Sequence, residues 1–285
     1  MQTRMIAGHS VSAIGLGAMP MSLEGRPDER QSLRTIHAAL GAGVTLIDTA
    51  DAYCTGADDV GHNERLIAKA LSTWSGDPDD VLVATKGGHT RTSNGSWQAD
   101  GRPEHLKKAC EASLKALGTE VIGLYQFHRP DPDVAYAESV GALAELQAAG
   151  KIRLAGVSNA SVEQIREAMN ILPLASVQNE YSPAFRGSEE ELLFCAEHGI
   201  AFLPWSPLGG AGTAGDLGDH HAAFDTVAEE RGVSPQQVAL AWELAKAPEV
   251  IPIPGATRPE TITDSLQAAD LELTPDDLAR LDVLS

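Results

Sequence analysis

The sequence predicts an α/β fold: a (β/α)8 TIM barrel with an N-terminal β-hairpin cap and two extra helices. Three observations predict it. Short apolar or β-branched runs alternate with amphipathic stretches along nearly the whole chain. Eight such strand–helix pairs follow one another, the number that closes a barrel. The 285 residues, 43% of them hydrophobic, contain no obvious linker, internal repeat or low-complexity tract, so a single domain is expected over 1–285.

The strands are expected at 13–17, 45–48, 81–85, 121–127, 152–157, 176–178, 200–204 and 250–253. Each is short and bounded by Gly, Pro or polar residues, as a strand buried on both faces should be. The helices between them are expected at 28–40, 63–71, 103–117, 133–149, 161–169, 188–198, 221–231 and 259–268. Ser161 stands where an N-cap belongs, and Pro103 and Pro259 suit a first helical turn. Gly118, Gly150, Gly199 and Gly232 suit helix ends. Residues 3–6 and 10–12 flank Ala7-Gly8-His9 and read as a hairpin closing the barrel bottom. Residues 234–244 and 275–283 read as the two additional helices. The stretches 87–102 and 209–218 are long enough to be functional loops.

Composition narrows the function. The net charge is −19, which disfavours nucleic acid and anionic membrane surfaces as partners. It says little about small ligands, because charges beyond about 8 Å are screened at physiological salt. No apolar run approaches the ~20 residues of a membrane span. The N-terminal segment lacks the basic-then-apolar pattern of a secretion signal. Cys54, Cys110 and Cys195 are scattered without a CxxC pair, which fits a reducing cytoplasmic setting and argues against a cysteine-built metal site.

Four polar residues end or follow apolar runs in the first half of the chain: Asp48, Tyr53, Lys86 and His128. In a barrel, strand C-termini and the loops after them build the site. A free phenol holds its proton to about pH 10. A neighbouring ammonium lowers that value, and a carboxylate keeps the ammonium charged and aimed. The four together therefore read as a proton donor tuned to work near neutrality.

The segments carrying these residues are similar to those of the aldo-keto reductase superfamily, of the bacterial type with a short C-terminus. They are GLGAM at 15–19, DTADAY at 48–53 with Asn63-Glu64, ATKGG at 84–88 and LYQFHRPDP at 124–132. GVSNA at 156–160, VQNEYSP at 177–183, WSPLGG at 205–210 and IPIPGAT at 251–257 complete the set, in the family's order over essentially the whole chain. The resemblance implies reversible, metal-free reduction of an aldehyde or ketone by NAD(P)H. Tyr53 would be the general acid, Lys86 would lower its pKa, Asp48 would pair with Lys86, and His128 would orient the carbonyl.

It also implies a cofactor site. Ser158, Asn159 and Gln178 correspond to residues that bond the nicotinamide carboxamide. Trp205 corresponds to an aromatic that stacks on the nicotinamide ring. Ser206, Leu208 and Gly210 belong to the pyrophosphate loop, where small residues let backbone amides approach an anion. Around the 2′-phosphate the chain departs from the family. Arg258 is basic, but Thr261 and Ser265 stand where many members have Arg and Asn. NADP(H) is favoured on Arg258, and NAD(H) stays open. Met19, Met21, Trp97 and Phe185 are expected around the mouth of the pocket. The last helix ends near Ser285, so the long C-terminal loop of many mammalian members is expected to be missing and the site open. Expected partners are a small-molecule carbonyl substrate and at most a small homo-oligomer.

Other classes fit less well. A metal-dependent barrel needs a His/Asp/Glu cluster, and the sequence offers no obvious one. Gly15-x-Gly17 is not completed as a dinucleotide fingerprint, because position 20 is Pro. Gly156-Val-Ser158-Asn-Ala lacks the last glycine of a nucleophile elbow. A cofactor-binding regulatory subunit on the same barrel is the alternative within the family.

Overall fold

The N-terminal strands β1 (Thr3–Ile6) and β2 (His9–Ser12) pair antiparallel and place Ile6 and Val11 in an apolar cluster with Leu46, Leu82, Leu124 and Ile251. That cluster is the barrel interior, so the hairpin plugs the barrel floor. The computed structural model describes residues 2–210 and 212–283. Met1, Ala211, Leu284 and Ser285, part of the expected 1–285 domain and of the 209–218 loop, lie outside the described residues.

Seven parallel strands form the barrel wall: β3 (Leu16–Gly17), β4 (Leu46–Asp48), β5 (Leu82–Gly87), β8 (Ile122–Phe127), β9 (Ile152–Ser158), β10 (Leu174–Gln178) and β11 (Ala201–Phe202). They are hydrogen-bonded in chain order. Two further strands, β6 (His89–Arg91) and β7 (Trp97–Ala99), make a hairpin inside the long loop after β5. Residues 250–254 fill the eighth position and close the wall. Ile251 N–H donates to Phe202 O at 2.8 Å, and Gly15 and Gly17 N–H donate to Pro252 O and Pro254 O at 2.9 and 3.0 Å. Pro252 and Pro254 have no N–H to return toward the first strand, so this segment bridges its neighbours without forming a full ladder. Gly17 permits the closure: a Cβ there would lie 2.6 Å from the carbonyl oxygen of Ile253.

The helices are α1 (Glu29–Gly41), α2 (His62–Thr73), α3 (Pro103–Leu117), α4 (Tyr136–Ala148), α5 (Val162–Met169) and α6 (Glu189–His198). They continue with α7 (Leu217–His220), α8 (Ala222–Arg231), α9 (Pro235–Lys246), α10 (Pro259–Gln267) and α11 (Pro275–Asp282). Their ends follow local chemistry. Asp28 caps α1 by accepting from Gln31 N, and Ser161 forms a reciprocal capping box with Gln164. Pro103 and Pro259 open their helices, and Gly118 ends α3 in the left-handed region at φ 68°.

Two differences from the sequence reading bear on the architecture. Asp131 accepts from the N–H of Gly101 and of Asp133, and this turn delays the fourth helix to Tyr136. The seventh ring helix is α9, not α8. In α9 every residue from Gln237 to Leu244 is buried, and it packs against α10. The more polar α8 buries only Phe224, Val227 and Ala228, and packs outside on α9 and α11. The additional helices are thus α8 and α11, with the short α7 beside them. No helix among the described residues is long and apolar enough to cross a membrane.

Candidate active site

Side chains alternate along a strand, so inward positions recur every second residue. Leu46, Ala84, Leu124 and Leu154 form the apolar interior layer. Two residues farther toward the C-terminal end, the same parity gives Asp48, Lys86 and Gln126. One more step gives His128 and, on the fifth strand, Ser158. In β10 a register shift between Leu174 and Ser176 turns Ser176 and Gln178 inward. A polar layer therefore sits on an apolar one, at the end of the barrel opposite the hairpin.

Lys86 is the hub. It is fully buried, and its Nζ donates to Asp48 Oδ1 at 2.6 Å, to the Thr49 carbonyl at 2.8 Å and to Tyr53 Oη at 3.1 Å. Asp48 Oδ2 accepts from Gln178 Nε2 at 2.8 Å, and that same nitrogen reaches Gln126 Oε1 at 3.1 Å. Gln126 in turn donates to Ser176 Oγ. The ring of His128 stands edge-on to Tyr53 with centroids 5.6 Å apart. The four residues singled out in the sequence therefore meet in one place.

The Asn63-Glu64 pair at the start of α2 holds this layer from behind. Asn63 accepts from Thr49 Oγ1 at 2.5 Å and donates to the Ala18 carbonyl and Ser22 Oγ, tying the loops after the first and second strands together. Glu64 accepts from Thr85 Oγ1 at 2.6 Å, next to Lys86 in sequence. A tight turn, with Tyr53 N–H donating to Ala50 O at 3.3 Å, swings Tyr53 back over Lys86.

Electrostatics correct one expectation. Burial raises the Tyr53 phenol above its usual value. Lys86 pulls it down, but Asp48 pushes the other way, and the net direction is up. The phenol is therefore not brought toward neutrality by Lys86 in the protein alone. Burial also opposes the charge on Lys86, yet Asp48 and Tyr53 together raise its pKa, so the ammonium is retained. Burial, with Lys86 and His89 nearby, holds the His128 pKa well below 6.5. Its imidazole is thus neutral at physiological pH, and its Nδ1 has no partner among the described residues.

This layer forms the floor of a cavity of about 970 Å³. Met19, Asp48, Tyr53, Trp97 and His128 line it together with Asn159 and Gln178. Trp205, Ser206, Leu208, Gly210 and Arg258 line its other parts, as do Thr261, Asp264 and Ser265. Asn159 and Ser206 carry left-handed backbones, φ 56° and 50°, which non-glycine residues adopt at a cost. Asn159 is held there by Nδ2 bonds to the His128 carbonyl and Ser158 Oγ, both 3.0 Å.

Three expected residues lie elsewhere. Met21 is buried in the outer core between barrel and helices and does not line the cavity. Phe185 is 42% exposed and also outside the lining. Ser158 is buried beneath the surface, with its hydroxyl committed to the Gln178 carbonyl at 2.7 Å.

Sequence reasoning also passed over several lining residues. His89 stacks on Trp97 at 4.5 Å and stands edge-on to His128 at 4.9 Å. Arg91, outside the lining itself, lies over the Trp97 ring and pairs with Glu24. Arg129, next to His128 in sequence, also lines the cavity. The hairpin that brings His89 and Trp97 over the mouth had a signal in Asn94-Gly95, a strong turn pair.

Known proteins resemble this chain in sequence and in fold. Residues 13–285 match the aldo/keto reductase family. An uncharacterized oxidoreductase of Schizosaccharomyces pombe is 33% identical over 276 residues, covering 95% of this chain and 86% of the relative. The glycerol dehydrogenase AKR11B4 of Gluconobacter oxydans superposes with a TM-score of 0.84 at 30% identity, over 98% of this chain and 94% of that one. An aldo/keto reductase of Klebsiella pneumoniae, solved with NADP and acetate, gives a TM-score of 0.80 at 30% identity, over 96% and 91%. With a superposition over nearly the whole chain and a family match over residues 13–285, this chain belongs to the aldo/keto reductase family of oxidoreductases.

Proposed function

We propose that the protein reversibly reduces a small aldehyde or ketone to the alcohol, using NADPH, with Tyr53 as general acid. One observation carries this reading: a buried Asp48–Lys86–Tyr53 chain ends at a cavity wall shared with a neutral His128. When bound, the reduced nicotinamide supplies the hydride. The residues present suit such a cofactor. The amide nitrogen of Gln178 is occupied by Asp48 and Gln126, which leaves Oε1 to accept a carboxamide N–H. Ser206, Gly209 and Gly210 all have positive φ, a backbone that turns N–H groups toward an anion. Arg258 lines the far end of the cavity without a side-chain carboxylate among the described residues. The NADP in the Klebsiella pneumoniae relative supports the same choice.

The chain's own chemistry is then simple. Burial keeps the phenol protonated through the neutral range, so Tyr53 has a proton to give. The carbonyl carbon gains a hydride, its oxygen gains that proton, and solvent later restores the phenol. Lys86, 3.1 Å away, stabilises the phenolate in between. His128 donates an N–H to the carbonyl oxygen without adding charge, because it stays neutral. Fixed donors in a dry site have leverage over developing charge.

The test is turnover of a panel of aldehydes with NADPH and NADH, followed by loss of reduced-nicotinamide absorbance. Turnover supports the reading. Tight cofactor binding with no turnover on any aldehyde or ketone would contradict it and favour a binding role for the same barrel.

A further inference from the structure

Two guanidinium groups line the cavity, and the barrel puts them on opposite sides. Arg258 follows the eighth strand position and Arg129 follows β8, the fourth barrel strand. In an eight-membered barrel these positions are diametrically opposed. Arg258 is accounted for by the cofactor reading, but Arg129 is not. It follows His128 in the chain, lines the same cavity, and its charge is felt by both His128 and His89.

Arg129 is exposed to the cavity, and its one hydrogen bond is a long one, Nη2 to Asn159 Oδ1 at 3.3 Å. Among the described residues no carboxylate lies within ion-pair distance of it. Glu180 feels its charge, but beyond that distance. Elsewhere Arg26 is taken up by Asp59, Arg91 by Glu24 and Arg102 by Asp100. The flanking wall is aromatic: His89 and Trp97 stack on each other above His128. The positive field there is felt by His89, whose pKa is pushed down to about 4 by burial, then by Arg129 and Arg91. The mouth thus offers an apolar slot ending in an unpaired cation.

We infer that the substrate is a carbonyl compound bearing a carboxylate, which Arg129 receives while the carbonyl sits between Tyr53 and His128. This rests on the reductase reading above and adds the substrate class to it. A carboxylate fits a guanidinium through two parallel N–H bonds, a geometry an ammonium cannot reproduce.

The experiment compares para-carboxybenzaldehyde with its methyl ester. The two share ring and carbonyl and differ in charge; the ester is also the more electron-withdrawing and the intrinsically more reactive aldehyde, a bias common to every variant. Relative to Arg129→Met, wild type should favour the carboxylate over the ester by roughly tenfold in kcat/KM, equivalent to about 1.4 kcal/mol. Arg129→Met leaves only the intrinsic reactivity difference, Arg129→Lys should recover part of the preference, and Arg129→Glu should shift the ratio further toward the ester. Added salt should shrink the wild-type preference, since the group is solvent-accessible. Both substrates are read on each variant, so a loss of folded protein cancels from the ratio. An acid-to-ester ratio unchanged between wild type and Arg129→Met would refute the substrate class and leave the reductase reading standing. Turnover of neither would overturn that reading, and this inference with it.

Discussion

Replacing Lys86 with Met should cost stability as well as activity, and the structure sets the size of that cost. The Nζ of Lys86 is removed from water entirely and makes three bonds, to Asp48, Thr49 O and Tyr53. Methionine is similar in length and fills most of the space, so the apolar part of the change is small. What remains is Asp48, buried and left with Gln178 as its side-chain partner. Breaking a buried ion pair by removing one member typically costs about 3–5 kcal/mol, because the other charge stays uncompensated. At about 2–4 °C per kcal/mol for a chain of this size, the midpoint of thermal unfolding should fall by roughly 6–20 °C. Adding Asp48→Asn should return most of the loss. The new amide oxygen still accepts from Gln178, and no lone charge remains. Denaturant unfolding of wild type, both single variants and the double variant gives the coupling directly. If Lys86→Met lay within about 1 kcal/mol of wild type, or the double variant were no more stable than Lys86→Met, the buried pair would not be the electrostatic unit described here.

Two further outcomes test other parts of the molecule. Arg258→Ala should weaken NADPH by roughly 10–150-fold, the equivalent of a charge-assisted contact of about 1.5–3 kcal/mol, and leave NADH nearly unchanged; fluorescence titration of both cofactors checks this, and equal effects on the two would assign Arg258 to loop support. Glu243, fully buried in α9 with both carboxylate oxygens unpartnered, is held well above its usual pKa by burial. The folded state then keeps a proton that the unfolded chain releases above about 4.5, so this residue makes stability fall as pH rises past that value. Glu243→Met should therefore stabilise by about 1–3 kcal/mol near neutral pH and by less near pH ~4, as read from urea unfolding at both.

The fold and the candidate site were legible in the sequence to different depths. Asp48, Lys86 and His128 were readable because each ends a short apolar run, and a strand that feeds a polar residue at its C-terminal end feeds the barrel mouth. The parity that aligns them with the buried Leu46, Ala84 and Leu124 is written in the same runs. The eighth strand was readable as an apolar segment, but not its one-sided pairing, which follows from Pro252 and Pro254 facing the first strand. The exchange of roles between α8 and α9 was missed because both look helical. What separates them is that Ala239 to Trp242 is apolar on all sides, as a helix buried on two faces must be. Met21 was expected at the mouth beside Met19, yet the turn at 19–21 leaves Met19 in the lining and buries Met21 in the outer core. Arg129 went unread for a physical reason: an arginine after a strand end looks solvated until the opposite wall is known. The direction of the Tyr53 pKa shift was wrong for a similar reason, since the pull of Lys86 is local in sequence logic while the burial that outweighs it is a property of the whole fold.

The central claim is that Tyr53 gives the proton, and Tyr53→Phe tests it most directly. The change removes one oxygen, and Lys86 keeps its bonds to Asp48 and Thr49, so the fold and cofactor affinity should be preserved. Single-turnover reduction of an aldehyde by the preformed NADPH complex should slow by about 10²–10⁴-fold, the range of a general acid. A rate within a few-fold of wild type, with cofactor bound equally well, would contradict the account and leave the proton to another donor.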